Sequence, residues 1–320
     1  MIRIKKIKDS ISNLILFLSD YCCMIRCHSK RYVKSNLERD LLLLGHALEK
    51  GMTFENKKDE WGKDKCILLC NKVERYVALA GHSKEIVKYV VNIINNYKKD
   101  LHSSKDPKLN VIVAGVLDKN HSLIDNEIGS VKSVVEPMAF DKEQIIRFFA
   151  SRSSVRSFST DEVTDKELKQ AVSFARYTPT ACNRQSSRIY VFRNQSKIEE
   201  ILINQLGSQG WCDKAKALIV LTGVQSYFGG NYERHQVFID GGLFAMNLAY
   251  GLHLQHIAFC FKMYVRDMNR DKEFRKICGI PGNEQPIVLI LCGHYKDSAV
   301  NSTASKRFDV PLTMDGSKIL

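Results

Sequence analysis

The chain has 320 residues, of which 44% are hydrophobic and 26% charged, with a net charge of +13. These proportions exclude a disordered or fibrous chain and leave room for one large domain or two ordinary ones. Residues 1–34 hold eight basic side chains against Asp9 and Asp20, and the rest of the positive charge is spread along the chain, so no nucleic-acid partner is expected.

In chain order, the first feature is the apolar stretch from Ile11 to Ile25, interrupted by Asp20. It falls short of the roughly 20 apolar residues of a membrane-spanning helix, and it lacks the small-residue cleavage site of a secretory signal. Two expectations stay open for the leading segment 1–35. The preferred one is a helix docked on its own protein or on a partner subunit. The other is an amphipathic helix on a membrane surface, with Lys5, Lys6 and Lys8 before it, making a peripheral membrane or pathway-protein contact.

The ten cysteines form no framework. Cys22, Cys23, Cys27 and His28 cluster at a spacing foreign to zinc sites, and Cys66 and Cys70 have no second ligand pair. Reduced thiols in a cytoplasmic protein, with no metal, are expected.

Residues 36–140 are expected to be helical. Asn36 to Gly51 starts on a capping residue and ends on a glycine stop, Lys65 to Ala80 and Ser83 to Tyr97 follow, and periodicity weakens from Lys98 to Glu136. Pro137 marks the approximate boundary to a second region, 141–320, where helices and strands alternate. Asp141 caps a helix to Ala150, and Thr164 with Glu167 opens one to about Tyr177. A strand over Arg188–Arg193 follows, then a helix opened by Ser196 and Glu199 that stops near Gly207. Next come a buried strand over Ala217–Thr222 and a long apolar helix over Tyr232–Gly251. A strand over His256–Phe261, a helix over Asp267–Cys278 and a strand over Pro286–Cys292 complete the order. Helices on both sides of a sheet, α+β or α/β, is the class implied.

Two segments carry candidate chemistry. Ser151 to Phe158 interleaves Arg152 and Arg156 with Ser153 and Ser154. Arginines give bidentate charge-assisted bonds to a phosphate, and serines add neutral donors. Pro179, Thr180, Ala181, Cys182, Asn183, Arg184 and Gln185 form a helix-to-strand loop whose amides can both donate and accept at the edge of a heterocycle. Each alone is also what an ordinary solvated loop looks like.

Taken together, these loops resemble the nitroreductase family of flavoproteins. Arg152, Ser154, Arg156 and Phe158 match the family's opening pattern, and Pro179, Thr180, Ala181, Asn183 and Gln185 match its next loop. Asp240-Gly241-Gly242 with Met246-Asn247-Leu248 looks like its long central helix. Gly279 to Gly293 looks like its closing strand. Lys306 and Arg307 sit where the family places a basic residue near the flavin phosphate. The chain departs from the pattern at Ser186-Ser187, where proline and tryptophan are common, and over His256–Cys260.

The resemblance implies an α+β three-layer sandwich, with a central mixed sheet flanked by helices, over 141–320. It also implies an FMN at a homodimer interface and hydride transfer from NADH or NADPH through the flavin to a small-molecule acceptor. Arg152 and Arg156 would meet the phosphate or the N1/O2 edge, with Ser153 and Ser154 beside them. Asn183 and Gln185 would meet the ring edge or ribityl chain, and Lys306 and Arg307 would complete the phosphate site. No catalytic acid–base pair is expected, because the flavin carries the chemistry.

His46 to Gly51 (HALEKG) looks like a short motif in the leading region of nitroreductase-like proteins from bacterial surface-polysaccharide gene clusters. It marks either a contact with the flavin domain or a solvated charge pair at a helix end. His235 is a weaker candidate for a place near substrate. A non-catalytic flavin-binding partner or regulator is the alternative function, and a basic surface-binding protein that lost its cofactor is a third.

Overall fold

The computed structural model describes residues 2–101, 104–125, 127–129, 131–135, 138–203, 205, 210, 214–229, 231–266, 268–297, 302–303, 305–314 and 317–318. Pro137, Gly207 and Asp267, which the sequence reading used as boundaries, lie outside them.

The leading half is helical, as expected. α1 (Ile2–Cys27) precedes α2 (Val33–Met52), α3 (Lys63–Val77), α4 (Lys84–Asp100) and α5 (Pro107–Lys119). Ser83 caps α4 by accepting from Ile86 N, and the Asp106 carboxylate caps α5 by accepting from Lys108 N and Leu109 N. Leu41 and Leu48 of α2 pack with Leu69 and Tyr76 of α3, Ile93 and Tyr97 of α4 and Val113 of α5 in one buried core. Gly51 does not end its helix, which runs on through Met52. It is small because Trp61 lies against it: a Cβ there would stand 2.1 Å from a Trp61 ring carbon.

The second half is built on a four-stranded sheet. β1 (Ser187–Phe192), β2 (Ala217–Val224), β3 (Ile257–Met263) and β4 (Glu284–His294) lie in the order β1-β2-β4-β3, and every ladder is antiparallel. A single parallel bridge, Ser154 to Phe259, extends the β3 edge and makes the sheet mixed. Alternation sorts the strands' side chains into two layers. Leu218, Val220, Leu289, Leu291 and Ala258 face α8 (Gln195–Ile203) and α10 (Met268–Cys278). Ala217, Ile219, Ile290, Cys292 and Phe259 face α7 (Asp165–Ala175) and α9 (Gln236–Leu254). The expected three-layer α+β sandwich is what these contacts make. α6 (Lys142–Ser151) leads into it, capped by Asp141 as expected.

Two starts differ from the sequence reading. α8 is capped by Asn194, whose side chain accepts from Lys197 N at 2.9 Å, and not by Ser196. α9 begins at Gln236 after a short 3-10 turn, Asn231–Glu233, and not at Tyr232.

Candidate functional site

The Ser151–Phe158 segment is held by the sheet edge. After α6 the chain turns extended at Arg152 (φ −64, ψ 119). Val155 N then donates to Phe259 O at 2.9 Å, and Ser159 N donates to His294 O at 2.9 Å. Val155 and Phe158 are buried in the core, Arg156 is exposed, and Arg152, Ser153 and Ser154 are half-buried. Phe158 seats on Gly293, where a Cβ would stand 2.7 Å from its own Cβ, so the motif's phenylalanine and the closing strand's glycine are one packing unit. Arg156 Nη1 reaches Ser154 O at 3.4 Å. Ser151 Oγ lies 2.8 Å from His253 Nε2 at the end of α9. Burial, with the nearby Arg152 charge, lowers the His253 pKa below the ordinary imidazole value, which keeps that ring neutral beside the arginine. Among the described residues no salt bridge engages Arg152.

The Pro179–Gln185 loop is tied down from three sides. Asp240, fully buried in α9, accepts from Ala181 N at 3.0 Å and from Gln236 Nε2 at 2.7 Å. Asn247 Nδ2 donates to Thr178 Oγ1 at 2.8 Å just ahead of the loop. Gln185 N donates to Thr180 Oγ1 at 3.1 Å. Arg184 is only 1% exposed. It pairs with Glu233 at 2.7 Å, donates to Tyr227 O and Ala181 O at 2.9 Å each, and stacks over the Phe228 ring. It is therefore a structural anchor of the loop. These ties hold Cys182, Asn183 and Gln185 at φ values of 53, 51 and 47, a left-handed region that costs non-glycine residues energy unless the surroundings impose it.

One chain does not bring the two loops together. The Arg152–Arg156 segment lies outside β3 beside Phe259, level with Cys292 of β4, whereas Gln185 leads into β1, level with Gln285 of β4 through Gly223. Crossing four strand spacings and seven residues of β4 separates them by roughly 30 Å, about the width of a small domain. The joint site read from the sequence is thus divided between opposite corners of the sheet. Lys306 and Arg307 lie in an exposed segment beyond β4, with Lys306 over the Phe308 ring at 5.3 Å.

The helical half reaches the second loop. Asn183 Nδ2 donates to Tyr89 Oη at 3.1 Å, and Tyr89 donates to Glu49 Oε2 at 2.8 Å. His46 Nδ1 stands 3.7 Å from that same carboxylate oxygen. Burial and then the Glu49 charge raise the Tyr89 pKa, so the phenol stays a donor. This line orients the Asn183 amide, whose oxygen then accepts from Gln185 Nε2 at 3.1 Å. A second line ties Tyr76 and Tyr227 to the two oxygens of Glu38, at 2.6 and 2.8 Å. Of HALEKG, Glu49 reaches the second half only through Tyr89, and the His46–Glu49 charge pair at the helix end is present as well. A cavity of about 280 Å³ between Tyr89, Arg184, Gln185 and Arg188 separates the halves here. Tyr89, Glu38 and Glu233 escaped sequence reasoning because each meets the second half or its loop across more than 40 residues, and Asp240 was read as part of a helix motif without its bond to the loop. His235 is exposed at the start of α9, outside this network.

Residues 149–207 match the model of the Nitroreductase family. That segment is similar to the Nitroreductase family. It begins in α6, contains both loops and β1, and ends just past α8. Three solved structures illustrate the wider likeness. A nitroreductase family protein from Clostridium difficile 630 shares 21% identity over 52% of this chain and 88% of its own, at a TM-score of 0.41. An FMN-dependent nitroreductase from Clostridium difficile R20291 shares 18% over 49% and 91%, at 0.43. A nitroreductase family protein from Streptococcus pneumoniae TIGR4 shares 16% over 52% and 96%, at 0.44. The comparison with curated proteins found no match.

Proposed function

We propose that two copies of this chain form a cytoplasmic FMN-dependent oxidoreductase that passes hydride from NADH or NADPH to a small-molecule acceptor. The observation that carries the proposal is the division of the paired loops between opposite sheet corners. The donor chemistry fits a flavin mononucleotide, since guanidiniums and a hydroxyl suit its phosphate and amides suit its ring edge. The geometry fits only if the amides come from a second copy. A twofold pair would then build two identical sites, each from Arg152, Ser154 and Arg156 of one subunit and Asn183 and Gln185 of the other. Exposed apolar side chains of α9 (Phe238, Ile239, Leu243) and α6 (Ile146, Phe149) supply a surface such a pair can bury.

When bound, FMN supplies the two-electron chemistry. The chain's own part is to place positive charge where the phosphate or the reduced ring is anionic, and to present two pre-oriented amides. The Asp240, Arg184 and Tyr89 bonds hold those amides before any ligand arrives, which lowers the ordering cost of binding. The HALEKG likeness directs the search for the acceptor to surface-polysaccharide metabolism.

The purified protein is expected to be yellow, absorbing near ~450 nm, and to bleach with NADH or NADPH. A colourless protein that takes up no FMN would overturn the proposal, and a yellow one that no nicotinamide bleaches would make it a binding partner instead. Arg152→Glu with Arg156→Glu is expected to abolish flavin retention.

Subunit sharing has its own test. Co-expressing that double variant with an Asn183→Ala, Gln185→Ala chain should restore about a quarter of the wild-type flavin, because half the dimers are mixed and each mixed dimer has one intact site. No restoration, with both variants folded and dimeric, would mean that each site is built within one subunit.

A further inference from the structure

α1 presents the wrong face to its own protein. It is docked through its last turns, where Asp20 pairs with Arg266 and the Cys23 and Cys27 thiols donate to Gly282 O at 3.8 and 3.9 Å. At 3.6 residues per turn these three residues share one side of the helix, within an arc of about 60°. Ile11, Leu14, Phe17, Leu18, Tyr21 and Ile25 fall within about 120° on the opposite side, and all six are exposed. An ordinary surface helix turns its apolar stripe toward its own core and its polar side to water. Here the docked side is carried by Asp20, Cys23 and Cys27, with Leu16 half-buried, and the larger apolar stripe faces out. Only 6% of the Ser10–Cys27 window is buried, and its mean hydropathy is 1.2. The expectation of a helix docked on its own protein therefore holds for its last turns alone.

We propose that this face of α1 lies in the interfacial layer of an anionic phospholipid bilayer and carries the protein to a membrane surface. Charge selects that occupant over a second copy of the chain. Arg3, Lys5, Lys6 and Lys8 precede the apolar stripe, and Arg26, Lys30, Arg31 and Lys34 follow it, against Asp9 and Asp20. Two α1 helices paired in either direction would set basic ends against each other, whereas an anionic headgroup layer attracts both ends at once. Length and composition alone would also let the Ser10–Cys27 window cross a bilayer. The docked polar side, with Ser12, Asn13, Ser19 and Asp20 around it, fits a helix lying in the interface and not one surrounded by hydrocarbon. The proposal does not depend on flavin binding.

The test uses the full chain and sedimentation with vesicles of phosphatidylcholine and phosphatidylserine in equal parts, against vesicles of phosphatidylcholine alone. Binding to the mixed vesicles is expected, weakening as salt is raised. Phe17→Ser with Leu18→Ser is expected to weaken it roughly tenfold or more, since two large apolar side chains leave the bilayer. Both positions are exposed, so an unchanged circular dichroism spectrum and melting temperature verify the fold. Absence of vesicle binding, or equal binding by the double variant, would overturn the proposal. So would a double variant whose only change is a smaller assembly, which would assign the face to a second copy. Retention on the vesicles through an alkaline carbonate wash would overturn the lying geometry in favour of insertion.

Discussion

Glu233→Ala is expected to destabilise the protein by about 3 kcal/mol, the range for removing one partner of a buried ion pair. The cause is an asymmetry within the pair. Arg184 is almost fully buried, while the Glu233 side chain keeps partial access to water. Removing the carboxylate strands a guanidinium that is only 1% exposed, with, among the described residues, the Tyr227 and Ala181 carbonyls and the Phe228 ring for support. Arg184→Leu leaves a carboxylate that can rehydrate, so it is expected to cost about 2 kcal/mol, mostly from two carbonyls losing a donor. Urea unfolding of the two variants checks the order, and a larger loss from Arg184→Leu would mean that the guanidinium is not the stranded charge. Because Arg184 anchors the Pro179–Gln185 loop, both variants should also retain less flavin.

The same pair sets an acid limb. Burial works to raise the Glu233 pKa, but bonds from Arg184 and from Gly229 N outweigh it, and the folded pKa lies below the ordinary value. A carboxylate lowered in this way contributes its full stability above its unfolded pKa, near ~4.3, and loses it as pH falls through the folded value. The wild type should therefore lose stability below about pH 4 more steeply than Glu233→Ala does.

The sandwich was legible because its central strands are near-continuous apolar runs, buried on both faces, and its helices carry long apolar faces. The runs ALIVLT and PIVLILC read as buried strands, and they are the two central ones. Caps were legible where one residue had no local rival. Thr164 and Glu167 form both bonds of their capping box, whereas Ser196 lost to Asn194 two positions earlier, whose side chain accepts from Lys197 N. Gly51 resembled a helix stop because the sequence cannot announce that Trp61 will lie against it.

The candidate site was legible as residue types and misleading as geometry. Arg152 and Asn183 are only thirty-one positions apart, yet α7 and its flanking loops carry the chain across the whole sheet between them. Sequence proximity measures contour length, and a strand order of β1-β2-β4-β3 places the first and third strands at opposite edges. Nor could local spacing show that Tyr89 and Glu49, in a separate helical unit, fix the Asn183 amide. That link is a long-range contact between two half-buried polar groups, the kind for which neither periodicity nor composition leaves a signal.

The other large effect falls at Gly251, where α9 crosses α7. A Cβ there would stand 2.5 Å from Ala171 O and 2.9 Å from Ala171 Cα. Both are helix backbone, so relief requires moving α7 as a body. Alanine gains about 1 kcal/mol of helix propensity over glycine, and the forced separation should outweigh it, leaving Gly251→Ala destabilised by about 2 kcal/mol or more. Gly241, on the same helix, gives the control. Its Cβ would come nearer still, 2.0 Å from Ile287 Cδ1, but that atom ends a flexible side chain that can change rotamer. Gly241→Ala should therefore cost less than about 1 kcal/mol despite the shorter contact. Chemical denaturation of the two variants separates distance from compliance, and equal losses would show that α7 yields as easily as a side chain. The Gly251 substitution should also reach the site. α7 runs into Thr178, which Asn247 of α9 holds by its hydroxyl, so a displaced α7 pulls on the strained loop that carries Asn183 and Gln185. Flavin retention should fall in Gly251→Ala at temperatures well below its unfolding midpoint, and should be unchanged in Gly241→Ala.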